Sequence, residues 1–229
     1  MPPIFLKNIE LVVYIWYHNM IQCHYIKCIT IDGGGNMQLW RERILYILKF
    51  IKKRKPNNLI DLGCGNGKVL EHINSCMPNI KICGVDKNEN QCKKLRKKFK
   101  QENIVIINKD FTKNILELYE SDIDMILLIE VIEHFNIHEV FILLRNICSK
   151  LQAKNILITT PNRDYNKNLK ELTEDGLRNK DHKFEFTQED IYVFIEKCET
   201  ICGEYNIYQD YCDKKRASFC ITFERKNNV

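Results

Sequence analysis

The sequence predicts an α/β domain, an open and mostly parallel sheet with helices on both faces. Three observations lead there. Short apolar runs of strand length alternate with helical patterns from residue 38 to residue 160. The first run opens into a glycine-rich turn, Asp61-Leu-Gly-Cys-Gly-Asn-Gly67. The second ends in Asp86, about twenty residues further on, where an acid at the carboxyl edge of such a sheet can accept from both ribose hydroxyls of a nucleoside.

A chain of 229 residues with 45% apolar content is long enough for one well-cored domain. A net charge of +5 and a pI near 8.5 permit a polyanionic partner but fall short of the basicity of dedicated nucleic-acid-binding domains. The eleven cysteines are scattered, with no paired Cys-Xaa-Xaa-Cys array. They read as reduced thiols of a cytoplasmic protein and argue against zinc. Cys198 and Cys202, at i,i+4 spacing, fit a shared packed helical face. No membrane association is expected, because no stretch reaches the roughly 18 uninterrupted apolar residues of a span; Leu11 to Tyr17 is too short.

Residues 1–35 form an N-terminal extension to which no role is assigned, apolar from Ile4 to Trp16 and without turn chemistry until Asp32-Gly-Gly-Gly35. The domain proper spans residues 36–229. From Gln38, the residues Leu39, Trp40, Ile44, Leu45, Leu48 and Ile51 recur at helical spacing, and Lys52-Lys-Arg-Lys55 before Pro56 suits the negative end of a helix dipole. Asn58 to Leu70 then reads as strand, turn and helix. Gly63, Gly65 and Gly67 remove side chains that would keep a ligand from the backbone, while the Gly-Lys-Ser/Thr of a phosphate-cradling loop is missing. Ile80 to Val85 is the second strand, Cys92 to Lys100 a lysine-rich solvated helix around Leu95 and Phe99, and Ile104 to Ile107 a third strand ending near Asp110.

The fourth strand, Asp124 to Ile129, delivers Glu130, with Glu133 and His134 close behind. One turn of helix after the strand would aim all three groups at a common point, since they stand i,i+3 and i,i+4 apart. Two carboxylates and an imidazole suit Mg²⁺ or Mn²⁺; taken alone, the same residues also read as an acidic helix start. A helix over Glu139 to Leu151 and a strand over Asn155 to Thr160, closed by Pro161-Asn162, complete the alternation. A parallel sheet puts Glu130 on the same edge as the glycine turn and Asp86.

Asp61-Xaa-Gly-Xaa-Gly followed by Gly84-Val-Asp86 resembles the class I S-adenosylmethionine-dependent methyltransferases, whose fold is Rossmann-like. The resemblance implies that Asp61, Gly63, Gly65 and Asp86 bind S-adenosylmethionine and that Asp110 meets its adenine edge; the alternative for Asp110 is a turn former. Glu130-Val-Ile-Glu-His134, Thr159-Thr-Pro-Asn162 and Gly176 to Thr187, with Asp181-His-Lys-Phe-Glu185 at its centre, narrow the likeness. Together they resemble the small-RNA 2′-O-methyltransferases of the Hua-enhancer type, which modify the 3′-terminal nucleotide, over about Gln38 to Glu196. That resemblance implies a Mg²⁺ or Mn²⁺ held by Glu130, Glu133, His134 and His182, with His138 an ordinary helix residue. It also implies a single-stranded small RNA 3′ end of piRNA or siRNA type as partner, presented by an Argonaute- or Piwi-class protein.

Arg178, Lys180 and Lys183 flank His182, where they would meet the terminal phosphates or else line a solvated loop. Phe186 stands where that family usually carries Trp. Past Lys197 the likeness fades, and a charged stretch, Asp210 to Lys215, precedes a strand-like run from Ala217 to Phe223. Two other functions are open: a small-molecule methyltransferase, and an inactive RNA-binding relative. The first has no need of Glu130 together with Asp181-His-Lys-Phe-Glu185, and the second would be expected to lose ligands or glycines that are present here.

Overall fold

The computed structural model of the chain describes residues 35–113 and 122–226, so the expectations for residues 1–34 lie outside it. Helix α1 (Gly35–Arg54) buries Ile44, Ile47, Leu48 and Ile51 on one face and ends in Lys52, Lys53 and Arg54. Strand β1 (Asn58–Leu62) leads through the glycine turn into α2 (Lys68–Cys76). Then follow β2 (Lys81–Asp86), α3 (Glu89–Lys98) and β3 (Ile104–Asn108). After β4 (Met125–Ile129) come a single 3₁₀ turn (Ile132–His134), α4 (Ile137–Asn146), a π turn (Ile147–Leu151) and β5 (Asn155–Pro161). The last elements are α5 (Gln188–Ile201), β6 (Tyr205–Tyr211) and β7 (Ser218–Arg225).

The seven strands form one sheet in the order β3-β2-β1-β4-β5-β7-β6. Strands β1 to β5 pair in parallel, and β7 joins β5 and β6 antiparallel. Because side chains alternate along a strand, each strand feeds two cores. Leu59, Ile82, Met125, Leu127 and Leu157 pack with Ile44 and Leu48 of α1, Leu70 of α2 and Leu95 of α3. Ile60, Val85, Ile126, Leu128 and Ile156 pack on the other side with Val140 and Leu144 of α4 and Phe194 of α5. Each Leu or Ile buried this way contributes roughly 1.5–3 kcal/mol.

That arrangement is the doubly covered, mostly parallel sheet the alternating pattern predicts. It carries the carboxyl ends of β1, β2 and β4 to one edge, and β4 and β5 are in register from Met125 opposite Asn155 to Ile129 opposite Thr159. Strand β6 escapes the sequence pattern because it is a sheet edge whose residues alternate between exposed and half-buried, with only Tyr205 buried. Cys198 and Cys202 are both buried at the end of α5, and the nine described cysteines are free thiols. No helix among the described residues is long and apolar enough to cross a membrane.

Candidate active site

At the carboxyl end of β1 the chain turns through Gly63 at φ +81° and Gly65 at φ +51°. Gly63 is required twice over: its φ lies in the left-handed region, and a Cβ there would come within 2.7 Å of Val131 Cγ2. Val131 follows β4, so the glycine turn packs against the segment that carries the acids. Val85 O accepts from the N–H groups of Gly63 and Cys64 at 2.8 and 3.1 Å. Asp86 accepts from Gly65 N at 2.9 Å through Oδ2 and from Asn88 N at 2.8 Å through Oδ1. The carboxylate expected to take a ribose therefore first fixes the turn, and each oxygen keeps a second acceptor direction.

Asp61 is buried, and its Oδ2 has no hydrogen-bond partner. Burial, and then the charge of Asp86, push its carboxyl up to about 7. Beside it lies a cleft of about 360 Å³ whose lining includes Trp40, Arg43, Asp61, Gly63, Gly65 and Glu130. Asp110 instead has a local task. Its Oδ1 accepts from Thr112 Oγ1 at 2.6 Å and Thr112 N at 3.2 Å, which is the turn-forming alternative, and those bonds, led by the hydroxyl's, lower its pKa.

The second half of the site gathers Glu133, His134 and His182, with one candidate ligand atom from each lying within 4.8 Å of the others. Glu133 and His134 belong to the 3₁₀ turn after β4, and the backbone bond from Lys183 N to Glu133 O, 2.7 Å, fastens the His182 loop against that turn. Glu133 is fully buried. Thr160 Oγ1 donates to its Oε2 at 3.1 Å, and its Oε1 has no partner. Burial, and then Glu130, raise its carboxyl well above the ordinary range.

Both imidazoles are oriented through Nδ1. That of His134 lies 3.2 Å from Asp181 O, and that of His182 lies 2.6 Å from Glu185 Oε1. A carbonyl and a carboxylate only accept, so each Nδ1 donates, and in the neutral ring Nε2 is the atom with the lone pair. The rings meet edge to face at 4.9 Å. Burial lowers the pKa of His134, which favours the neutral ligand form. A buried carboxylate oxygen in need of a positive partner, beside two imidazoles with Nδ1 engaged, is a donor set that fits a divalent cation such as Mn²⁺ or Mg²⁺.

Glu130 departs from expectation. No continuous helical turn links it to Glu133: it stands at φ +55°, outside the 3₁₀ turn. Its carboxylate is ion-paired with Arg43 of α1 and accepts from Thr159 Oγ1 at 3.1 Å. The structure thus brings together three of the four expected ligands and turns the fourth toward the nearest buried cation. Burial works against the charge on Arg43, but Glu130 together with its other acidic neighbours, Glu133 among them, prevails and raises the pKa. Nothing local in the sequence marks Arg43, one basic residue of a helix face. His138 is exposed in the first turn of α4, away from the three.

Arg178 is corrected as well. Rather than standing free for phosphate, it donates from Nε to Asn166 Oδ1 and from Nη2 to Asn162 O and Ala217 O, each at 2.7 Å. A phosphate could meet only its Nη1 edge. Lys180 and Lys183 are exposed beside the cluster. Glu185, quoted in the motif but given no role, holds the loop together. It accepts from Arg178 N at 2.7 Å and Asn166 Nδ2 at 2.6 Å besides engaging His182. Burial alone would raise its pKa, but these bonds prevail and lower it. Its i+3 spacing from His182 was the available signal.

A profile of the family described as "Methyltransferase domain" matches residues 35–197. The chain is 24% identical over 191 residues to a protein of Tetrahymena thermophila named small RNA 2′-O-methyltransferase, covering 74% of this chain and 43% of that one. A protein of the same name from Arabidopsis thaliana is 26% identical over 179 residues, 69% of this chain and 19% of that one. The chain therefore spans less than half the length of these relatives. Among solved structures, the methyltransferase domain of bacterial CtHen1-C superposes with a TM-score of 0.68 at 20% identity, covering 82% of this chain and 100% of that domain, a likeness of fold. With the glycine turn, Asp86 and the sheet order already in place, the match over residues 35–197 shows that the chain belongs to the methyltransferase-domain family.

Proposed function

We propose that this chain transfers a methyl group from S-adenosylmethionine to the 2′-hydroxyl of the 3′-terminal nucleotide of a small single-stranded RNA, aided by Mn²⁺ or Mg²⁺. The observation that carries this is the corner of Glu133, His134 and His182, where a buried carboxylate oxygen without a partner lies beside two oriented imidazoles. The likeness to proteins named small RNA 2′-O-methyltransferase supports the acceptor class. Exposed Lys180 and Lys183 suit its phosphates.

A divalent cation held by Glu133, His134 and His182, with Glu130 as fourth candidate, would supply charge that draws the adjacent hydroxyls of a terminal ribose and lowers the pKa of the 2′-hydroxyl. The chain's own residues do the rest. Glu185 and the Asp181 carbonyl fix the two rings before any ligand arrives, which removes reorganisation from the reaction. Asp86 and the glycine turn hold the cofactor's ribose and backbone-facing side, and Asp61, with Oδ2 unpaired in the cleft, suits its ammonium group. The 2′-oxygen bonds to the methyl carbon as the methyl–sulfur bond breaks, S-adenosylhomocysteine leaves as a neutral thioether, and the hydroxyl proton passes to water. Only a terminal ribose offers both hydroxyls, so selectivity for the 3′ end follows. A presenting protein of the Argonaute or Piwi class belongs to the same reading, since the corner acts on the terminal nucleotide alone.

The test is transfer of labelled methyl to a short single-stranded RNA with an intact, a 2′-deoxy or a periodate-oxidised 3′ end. Labelling of the intact RNA alone is expected; labelling of the 2′-deoxy end would mean that another atom is the acceptor.

A further inference from the structure

We propose that the loop between β6 and β7, Cys212-Asp-Lys-Lys-Arg-Ala217, is a second phosphate-binding element that grips the RNA just 5′ of its terminal nucleotide. This rests on the acceptor being RNA. The loop's own acid is turned inward: Asp213 is buried, accepting from Ala217 N at 2.9 Å and Ser218 N at 3.1 Å. Arg216 N donates to Asp213 O at 3.1 Å, and Arg216 stands at φ +57°, a conformation that a non-glycine residue holds only where its surroundings impose it. Lys214, Lys215 and Arg216 are thereby all left exposed.

The loop is fastened to the site on two sides. Asn162 donates from its backbone N–H to Ala217 O at 2.9 Å and from Nδ2 to Arg216 O at 2.8 Å. Arg178 also reaches Ala217 O, while its backbone N–H holds Glu185 Oε1, the oxygen that orients His182. On the other flank Lys214 N donates to Glu42 Oε2 at 2.9 Å, one residue before the Arg43 that pairs with Glu130. Three cations thus stand on a rigid loop tied to the segments carrying His182 and Glu130.

An ordinary solvated turn would need neither the buried Asp213 nor the double fastening. Glu42 is the acid that faces Lys214 and Lys215, so the patch stays net positive. The Arg216 guanidinium lies 5.1 Å from the Tyr211 ring, itself stacked on Phe219 at 5.4 Å. Such a platform orients the guanidinium and keeps its donors for an anion.

Fluorescence anisotropy tests this with a labelled single-stranded RNA whose 3′ end already carries the 2′-O-methyl group, so that binding is read without transfer. Wild type is compared across salt with K214Q/K215Q/R216Q, and with K94Q/K97Q/K100Q on and beside α3 as a charge-matched control. The hairpin variant should lose about 2 from the slope of log affinity against log salt, since each phosphate contact on a single strand contributes about 0.7. The control should keep the wild-type slope. The single change Lys215→Glu, at an exposed position, should move the slope the same way should the triple variant fold poorly. In transfer assays the hairpin variant should show a several-fold higher KM for a long RNA, with cofactor affinity unchanged. Equal slopes for wild type and hairpin variants, or equal losses in hairpin and control variants, overturn the proposal. Wild type that binds no RNA at all overturns the acceptor assignment itself, and this inference with it.

Discussion

Asp86 closes β2 and Glu133 follows β4, the two strands that flank β1, yet their carboxylates are treated in opposite ways. Both oxygens of Asp86 accept a backbone N–H, so this carboxylate is satisfied as folded. Glu133 lies in full burial with one oxygen bonded to Thr160 and the other to nothing, beside a second carboxylate that raises its pKa further. Leaving a charged carboxylate there uncompensated would cost several kcal/mol. The contrast teaches that the ribose end of the cofactor half is held by the protein's own dipoles, whereas Glu133 in the acceptor half, like Asp61 at the far end of the cofactor cleft, is left short of a positive partner.

Replacing one ligand of the second half should give the largest effect. His182→Ala is expected to reduce methyl transfer by more than about 100-fold while leaving cofactor affinity by calorimetry unchanged. A parallel loss of cofactor affinity would mean that the halves are not independent. Next, Asp86→Asn removes one or both backbone bonds that shape the glycine turn. It should weaken cofactor binding by about 10- to 100-fold, the equivalent of 1–3 kcal/mol, and leave the response to metal alone. Retained affinity would remove Asp86 from the cofactor side.

The smallest effect sharpens the contrast through pH. Because burial holds the Asp61 carboxyl up to about 7, the free protein keeps this proton below that pH. A cationic ammonium group favours the carboxylate, so binding releases the proton and tightens as pH rises toward 7. Cofactor affinity should therefore fall by up to about tenfold per unit below about pH 7. Asp61→Asn should flatten the profile; an equally steep profile in the variant would assign the titration to another group.

What was legible in the sequence follows the same division. The glycine turn, Asp86 and the strand ends are local patterns, so periodicity and spacing placed them at one edge. Glu133 and His134 were legible for the same reason, as neighbours on one short turn. The helical turn expected from Glu130 to Glu133 is absent because i,i+3 geometry assumes continuous helical dihedrals, and one left-handed residue, Glu130 itself, breaks that assumption. Arg43 and Arg178 were not legible, since an arginine's partner is set by tertiary packing: Glu130 lies on another element, and Arg178 reaches Asn162 and Asn166 on the turn after β5 and Ala217 in the loop before β7. Strand β6 hid because its alternation lacks apolar contrast at a solvent-facing edge.

The decisive measurement is thermal unfolding of wild type and Glu133→Gln with and without Mn²⁺ or Mg²⁺. Without metal the two should melt within about 1 kcal/mol of one another, because glutamine has the shape of the protonated carboxyl that burial favours. Added Mn²⁺ should raise the Tm of the wild type, as any ligand of the folded state alone does, and leave the variant where it was. A wild-type Tm indifferent to both ions at millimolar concentration would contradict a site built one positive charge short.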